Sequence, residues 1–120
     1  MVKIAFPGTE AGLEGELIPH FGHTGGFVVV ELESDGKSVK AVELVENPPH
    51  QHGGCMQPVM LLKNKGVTHV VLGGIGQRPL MGFVQVGIEP YHGVQGTVQQ
   101  NLDLFLQNQL QKMFESTCNH

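Results

Sequence analysis

Tryptophan is absent from this 120-residue chain, tyrosine occurs once, and Cys55 and Cys118 are the only cysteines. Two cysteines do not make a disulfide framework. The apolar run from Met1 stops at Pro7, too short for the core of a secretory signal. Both observations lead us to expect a cytoplasmic protein with reduced thiols. No stretch approaches the ~18 apolar residues of a membrane span, so no membrane partner is expected. Lysine and arginine number only seven against eleven acidic residues, a net charge of -4. A nucleic-acid binder needs a basic face, which seven cations cannot easily supply, so DNA and RNA are not expected as partners.

Glycine and histidine are what the chain has in abundance. It carries 17 glycines and seven histidines, against a usual glycine share of ~7%. Glycine at that level signals tight turns, or backbone lying close to a ligand. The length suits one domain, expected over residues 1 to 114, with 115 to 120 as a tail.

Hydrophobic periodicity predicts the order βββαβαβα. Strands are expected at Val2 to Phe6, Phe27 to Glu33 and Ser38 to Glu46, with Asp35-Gly36 turning between the last two. Pro48, Pro49, Gly53 and Gly54 make residues 47 to 54 a loop. A helix from about Cys55 to Lys65 has Pro58 in its first turn, where a missing N–H costs nothing, and Gly66 after its end. Thr68 to Leu72 is the fourth strand. Gly73-Gly74-Ile75-Gly76 leads into a second helix with Pro79 in its first turn. Ile88 to Tyr91 is the fifth strand, and Thr97 and Gln100 form a capping box. The last helix is expected to reach Phe114, with Val98, Leu102, Phe105, Leu106, Leu110 and Met113 along one face. Met56, Met60 and Met81 are read as core packing. The fold class is then α/β, three layers α/β/α, around a five-stranded mixed sheet; crossover handedness leaves the strand order open, and 3-2-1-4-5 is expected by analogy with ribonuclease-H-like folds.

This topology brings four connections to one edge of the sheet: residues 7 to 26, 47 to 54, 73 to 76 and 92 to 96. Ligands of open α/β sheets bind at the carboxyl ends of strands. His20, His23, His50, His52 and His92 all fall in these connections, beside Cys55. Neutral imidazole and thiolate are ligands for zinc, copper and related ions. His50, His52 and Cys55 put three donors within six residues. A cysteine at a helix start is favoured as thiolate by the helix dipole. The expected metal ligands are therefore His20, His23, His50, His52 and Cys55. Gly74, Ile75 and Gly76, at a strand-to-helix turn suited to anions, together with His92, are expected to contact a cofactor. Phe21 is read as a core anchor for the first loop, and His69 as a hydrogen-bonded strand residue.

At Pro19-His20-Phe21-Gly22, Gly53-Gly54-Cys55 and Gly73-Gly74-Ile75-Gly76-Gln77-Arg78-Pro79 the chain resembles the dinitrogenase iron–molybdenum cofactor biosynthesis family, over roughly residues 1 to 107. The resemblance implies a ribonuclease-H-like fold. It also implies binding or carriage of a metal–sulfur cluster or its precursor, of the iron–molybdenum or molybdenum–copper sulfide kind, with cofactor-assembly proteins as partners. The richness of the 50–52 loop in histidine leaves direct binding of a zinc or copper ion open. No catalysis is expected. Two alternatives stand beside this. One is a small metal-dependent hydrolase, for which Glu10, Glu14 and Glu16 are the only nearby bases. The other is a metal-free module that binds an anion or phosphate ligand. Ribonuclease-type chemistry is excluded, because the strands at residues 2 to 6 and 68 to 72 carry no carboxylate to hold magnesium.

Overall fold

The computed structural model describes residues 2–21, 24–46, 56–75 and 77–113. Five strands form one sheet: β1 (Lys3–Pro7), β2 (Gly26–Leu32), β3 (Val39–Glu46), β4 (His69–Leu72) and β5 (Glu89–His92). The helices are α1 (Met56–Asn64), α2 (Gln77–Gln85) and α3 (Val98–Leu106), with a short 3-10 turn at Gly12–Glu14. The sheet order is β3-β2-β1-β4-β5, the order expected by analogy. β1 pairs antiparallel with β2 and parallel with β4. β2 pairs antiparallel with β3, and β4 parallel with β5. The carboxyl ends of β1, β3, β4 and β5 therefore share one edge.

Side chains alternate across a strand, so each strand feeds two cores. Ala5, Phe27, Val29, Val70 and Leu72 join Val59 and Leu62 of α1 and Leu80 and Phe83 of α2 in one layer. Ile4, Phe6, Val28, Val30 and Val71 join Val98 and Leu102 of α3 in the other. The local signals hold. Gly66 sits at φ +82 after α1, a backbone region that favours glycine. The Thr97 hydroxyl accepts from the Gln100 N–H while the Gln100 side chain accepts from the Thr97 N–H. In the β2–β3 turn the Asp35 carboxylate accepts the N–H groups of Ser38 and Lys37, which holds its pKa below the usual range.

Two expectations fail. The last helix ends at Leu106 rather than near Phe114. Asn108 adopts φ 59, a left-handed conformation that stops a helix and that asparagine tolerates. The chain then runs extended beside β5: His92 N–H donates to the Gln111 carbonyl at 2.8 Å, and Met113 N–H to the Pro90 carbonyl at 2.9 Å. Met113 is buried with α1 and α2, on the face of the sheet opposite α3. Helical spacing placed it on the wrong face because the pattern did not register the break at Asn108. Met60 and Met81 are also not core residues. They are 42% and 44% exposed, since Val59, Leu62, Leu80 and Phe83 already fill the inward positions of their helices. The Met56 side chain lies outside the described residues.

At the opposite edge, His69 confirms its reading as a satisfied strand residue. Its Nδ1 lies 2.7 Å from the Thr68 hydroxyl and its Nε2 3.1 Å from Glu89, which Lys112 also holds at 2.8 Å. Burial lowers the His69 pKa from 6.5, outweighing the opposing pull of the Glu89 carboxylate. Below pH 6.5 the unfolded chain then binds more protons at this site than the native one, so stability falls with acid. Glu89, lowered chiefly by its bond to Lys112, sheds its contribution only below about pH 4.5. The His69→Gln variant should show a flatter fall in urea midpoint than the wild type between pH 7 and pH 5. Parallel curves would contradict this.

Candidate functional site

The first connection is stitched to the other loops of its edge by backbone bonds. Ile18 N–H donates to the Pro7 carbonyl at 2.8 Å, Leu17 N–H to Gly96 at 2.9 Å, and Phe21 N–H to Gly74 at 2.9 Å. His20 stands in a parallel bridge with Gly74. Residues separated by more than fifty positions in sequence are thus fixed side by side at the end of β4.

Two devices hold that contact. Phe21 is buried and packs its ring against Phe27 and Phe83, at centroid distances of 5.7 and 5.4 Å. This anchors the loop and leaves the adjacent His20 exposed. The second device is Gly73. A Cβ there would lie 2.9 Å from the Pro19 carbonyl oxygen and 3.0 Å from its Cα. Only a residue without a side chain lets the two backbones approach so closely.

The fifth strand joins the same edge. His92 pairs in register with Leu72, two residues before Gly74, and is half-buried. The loop after it is fixed by Asn101 of α3, which is fully buried. The Asn101 carbonyl oxygen accepts the Val94 N–H at 2.7 Å, and its amide donates to the carbonyls of Val94 and Thr97. Sequence reasoning passed over Asn101. Its only signal was a lone amide among the apolar positions of an amphipathic helix.

The described residues bring His20, Gly74 and Ile75 together and set His92 on the neighbouring strand. The Ile75 side chain, 2% exposed, belongs to the core, so any contact it offers a ligand comes from its backbone. His23, His50, His52, Cys55 and Gly76 lie outside the described residues. Among the described residues, no three histidine, cysteine or carboxylate side chains group closely enough to hold an ion. Of the carboxylates considered as bases, Glu10 and Glu14 are exposed, and Glu16 is bridged to Thr97 through its backbone.

Arg78, within the Gly73–Pro79 motif, is a further candidate. It is exposed in the first turn of α2, which holds no acidic residue. A cation at the positive end of a helix is unfavourable by about 0.3–1 kcal/mol. An anion seated on that turn would reverse the sign of this interaction.

An open cavity of about 650 Å³ lies at the same edge but farther along the sheet, where β1 and β3 end and β2 begins. Its walls include Gly8, Glu10, Ile18, Leu44 and Glu46, and neither His20 nor Gly74. The cavity and the His20–Gly74 contact are separate features.

A five-stranded mixed sheet of this order, with helices on both faces, defines a class of small three-layer α/β domains. The chain belongs within that class to the dinitrogenase iron-molybdenum cofactor family, whose model matches residues 1–108. It is 31% identical over 114 residues to an uncharacterised protein of Methanocaldococcus jannaschii, covering 93% of this chain and 92% of that protein. The apo form of the orange protein of Desulfovibrio gigas superposes with a TM-score of 0.84 at 26% identity, over 98% of both chains. A NifB-like protein of Thermotoga superposes with a TM-score of 0.79 at 25% identity, over 98% of this chain and all of the other. No helix among the described residues is long and apolar enough to cross a membrane.

Proposed function

We propose that this protein binds and carries a metal ion or metal–sulfur cluster at the carboxyl edge of its sheet, without catalysing a reaction on it. The observation that carries the reading is the His20–Gly74 bridge. It sets an exposed imidazole beside the turn that opens α2, within a family named for the iron–molybdenum cofactor.

The chemistry of the donors suits such a cargo. Imidazole and thiolate are soft to intermediate ligands that favour copper, zinc and iron–sulfur species over magnesium or calcium. His20 supplies one donor. His23, His50, His52 and Cys55 are the further donors we propose, and His92 a second contact. A thiometallate is anionic, and the first turn of α2 with Arg78 offers it positive potential. A bare zinc or copper ion would use the imidazoles and the thiolate alone. A cytoplasmic location and handover to cofactor-assembly proteins belong to the same proposal.

The test is uptake. The purified chain is incubated separately with zinc, with copper, and with tetrathiomolybdate plus copper. It is then desalted and analysed for metal per chain and for visible absorption. At least one of the three should be retained stoichiometrically. The His20→Ala variant should retain that species about tenfold more weakly, which is the loss expected when one ligand or its supporting contact is removed. Arg78→Gln should weaken retention of thiomolybdate but leave that of zinc unchanged. A chain that holds none of the three, or a His20→Ala variant that retains metal as the wild type does, would refute the assignment.

A further inference from the structure

We infer that the outer edge of β3 is a docking site for an extended segment of a partner protein, laid antiparallel, in which a basic residue that enters the neighbouring cavity precedes two apolar residues. This goes beyond cluster carriage and rests on different residues.

β3 ends the sheet order, so among the described residues one of its sides meets no other strand. The ladder shows which of its groups face outward. Gly8 N–H donates to Gly26, and Leu32 N–H to Val2. The even residues of β2 therefore bond to β1, and the odd ones, Phe27, Val29 and Glu31, bond to β3 through Val45, Glu43 and Ala41. That leaves the N–H and C=O groups of Val42, Leu44 and Glu46 directed outward, with no partner among the described residues. Sequences usually guard such an edge with charge, proline or a bulge. Here the irregularity between Glu31 and Leu32 guards only the start of β3, and residues 41 to 46 run regular and without proline.

The side chains of these same residues are exposed and apolar. Val42 is 42% exposed and Leu44 52%. Their register partners Val30 and Val28 place them on the α3 side of the sheet, yet α3 does not bury them. Leu44 and Glu46 line the cavity of about 650 Å³, as does Glu10. Neither Glu10 nor Glu46 has an ion pair among the described residues. A strand laid on this edge would meet two apolar side chains, then a cavity with two carboxylates. Backbone pairing with pockets for alternate side chains is the recognition mode of strand addition.

Charge selects the occupant. Glu43 is already paired with Lys65 at 3.0 Å, so the carboxylates left without a cation at this end of the edge, among the described residues, are Glu46 and Glu10. A segment bearing lysine or arginine would pair with them, whereas the cation that a second copy of this chain could set opposite Glu46, Lys40, is already held by Glu31 at 3.8 Å.

The probe is the hexapeptide acetyl-Lys-Thr-Val-Thr-Val-Thr-amide. Laid antiparallel, it puts its valines opposite Leu44 and Val42 and its lysine opposite Glu46. Titrated into isotopically labelled protein, it should shift the amide signals of residues 42 to 46. Methylating both valine nitrogens should weaken binding by about tenfold or more, as should replacing the lysine by glutamate. Leu44→Lys, at an exposed position, should do the same to binding of the unmodified peptide. Absence of binding, or binding indifferent to N-methylation, would overturn the proposal even if Leu44→Lys failed to fold. A concentration-dependent dimer with shifts confined to β3 would overturn it in favour of a second copy. None of these outcomes depends on metal uptake.

Discussion

Replacing Gly73 with alanine is expected to abolish most of the metal retention proposed for the protein, although it removes none of the proposed ligand residues. The added Cβ would sit 2.9 Å from the Pro19 carbonyl oxygen and 3.0 Å from the Pro19 Cα. Both are backbone atoms and cannot swing aside as a flexible side chain would. Either the loop carrying Pro19-His20-Phe21 lifts from β4, or β4 shifts at its end. Lifting breaks the Phe21 N–H to Gly74 bond and moves His20 from its bridge. Overpacking of this kind costs about 1–3 kcal/mol. The urea midpoint should therefore fall, with the fold still formed, and retention of the species bound by wild type should drop at least as far as in His20→Ala. Full retention in a destabilised Gly73→Ala protein would separate the bridge from metal binding and remove the main support for the proposed site.

Met113→Ala is expected to be the most damaging single change near the C-terminus. The side chain is 2% exposed and lies in the core formed with α1 and α2. Truncation of a fully buried methionine costs about 2–5 kcal/mol, a large part of the ~5–15 kcal/mol that holds a typical domain together. Leu110→Ala should cost less, since Leu110 is only partly buried and packs on the opposite core. Chemical denaturation of the two variants distinguishes this arrangement from a helix that continues through residue 113. In such a helix the two positions would lie on one face, and their losses would be similar and coupled. Equal effects would argue against the extended segment beside β5.

Strand and helix positions were readable because their signals are local. β-branched runs mark β2 and β4, Asp35-Gly36 marks the turn, and Thr97 with Gln100 marks the start of α3. The handedness of the β-α-β crossovers followed from a general rule, but the sheet order did not: it was expected by analogy with ribonuclease-H-like folds, since handedness leaves the order open and a long connection separates β1 from β2. The identity of the family was legible from local signals: its short motifs lie at the strand and helix ends, where glycine and proline are required by backbone geometry. The helix at the C-terminus was misread because its apolar spacing continues past Asn108. A hydrophobic pattern records burial but not which core receives the side chain. Met60 and Met81 misled in the same way, their residue type having been taken for burial.

The candidate site divides along the same line. Sequence by itself led us to expect His20, His23, His50, His52, His92 and Cys55 in connections at one edge, from local pattern and chain direction; of these the described residues include His20, in the first connection, and His92, at the end of β5. Only the tertiary structure decided that His20 lies against Gly74, that Ile75 turns into the core, that Asn101 fixes the loop after His92, and that Val42 and Leu44 stand exposed on an edge that no other described strand pairs with. These depend on contacts between residues far apart in the chain, and on which neighbours leave a surface uncovered. No local spacing encodes either of them.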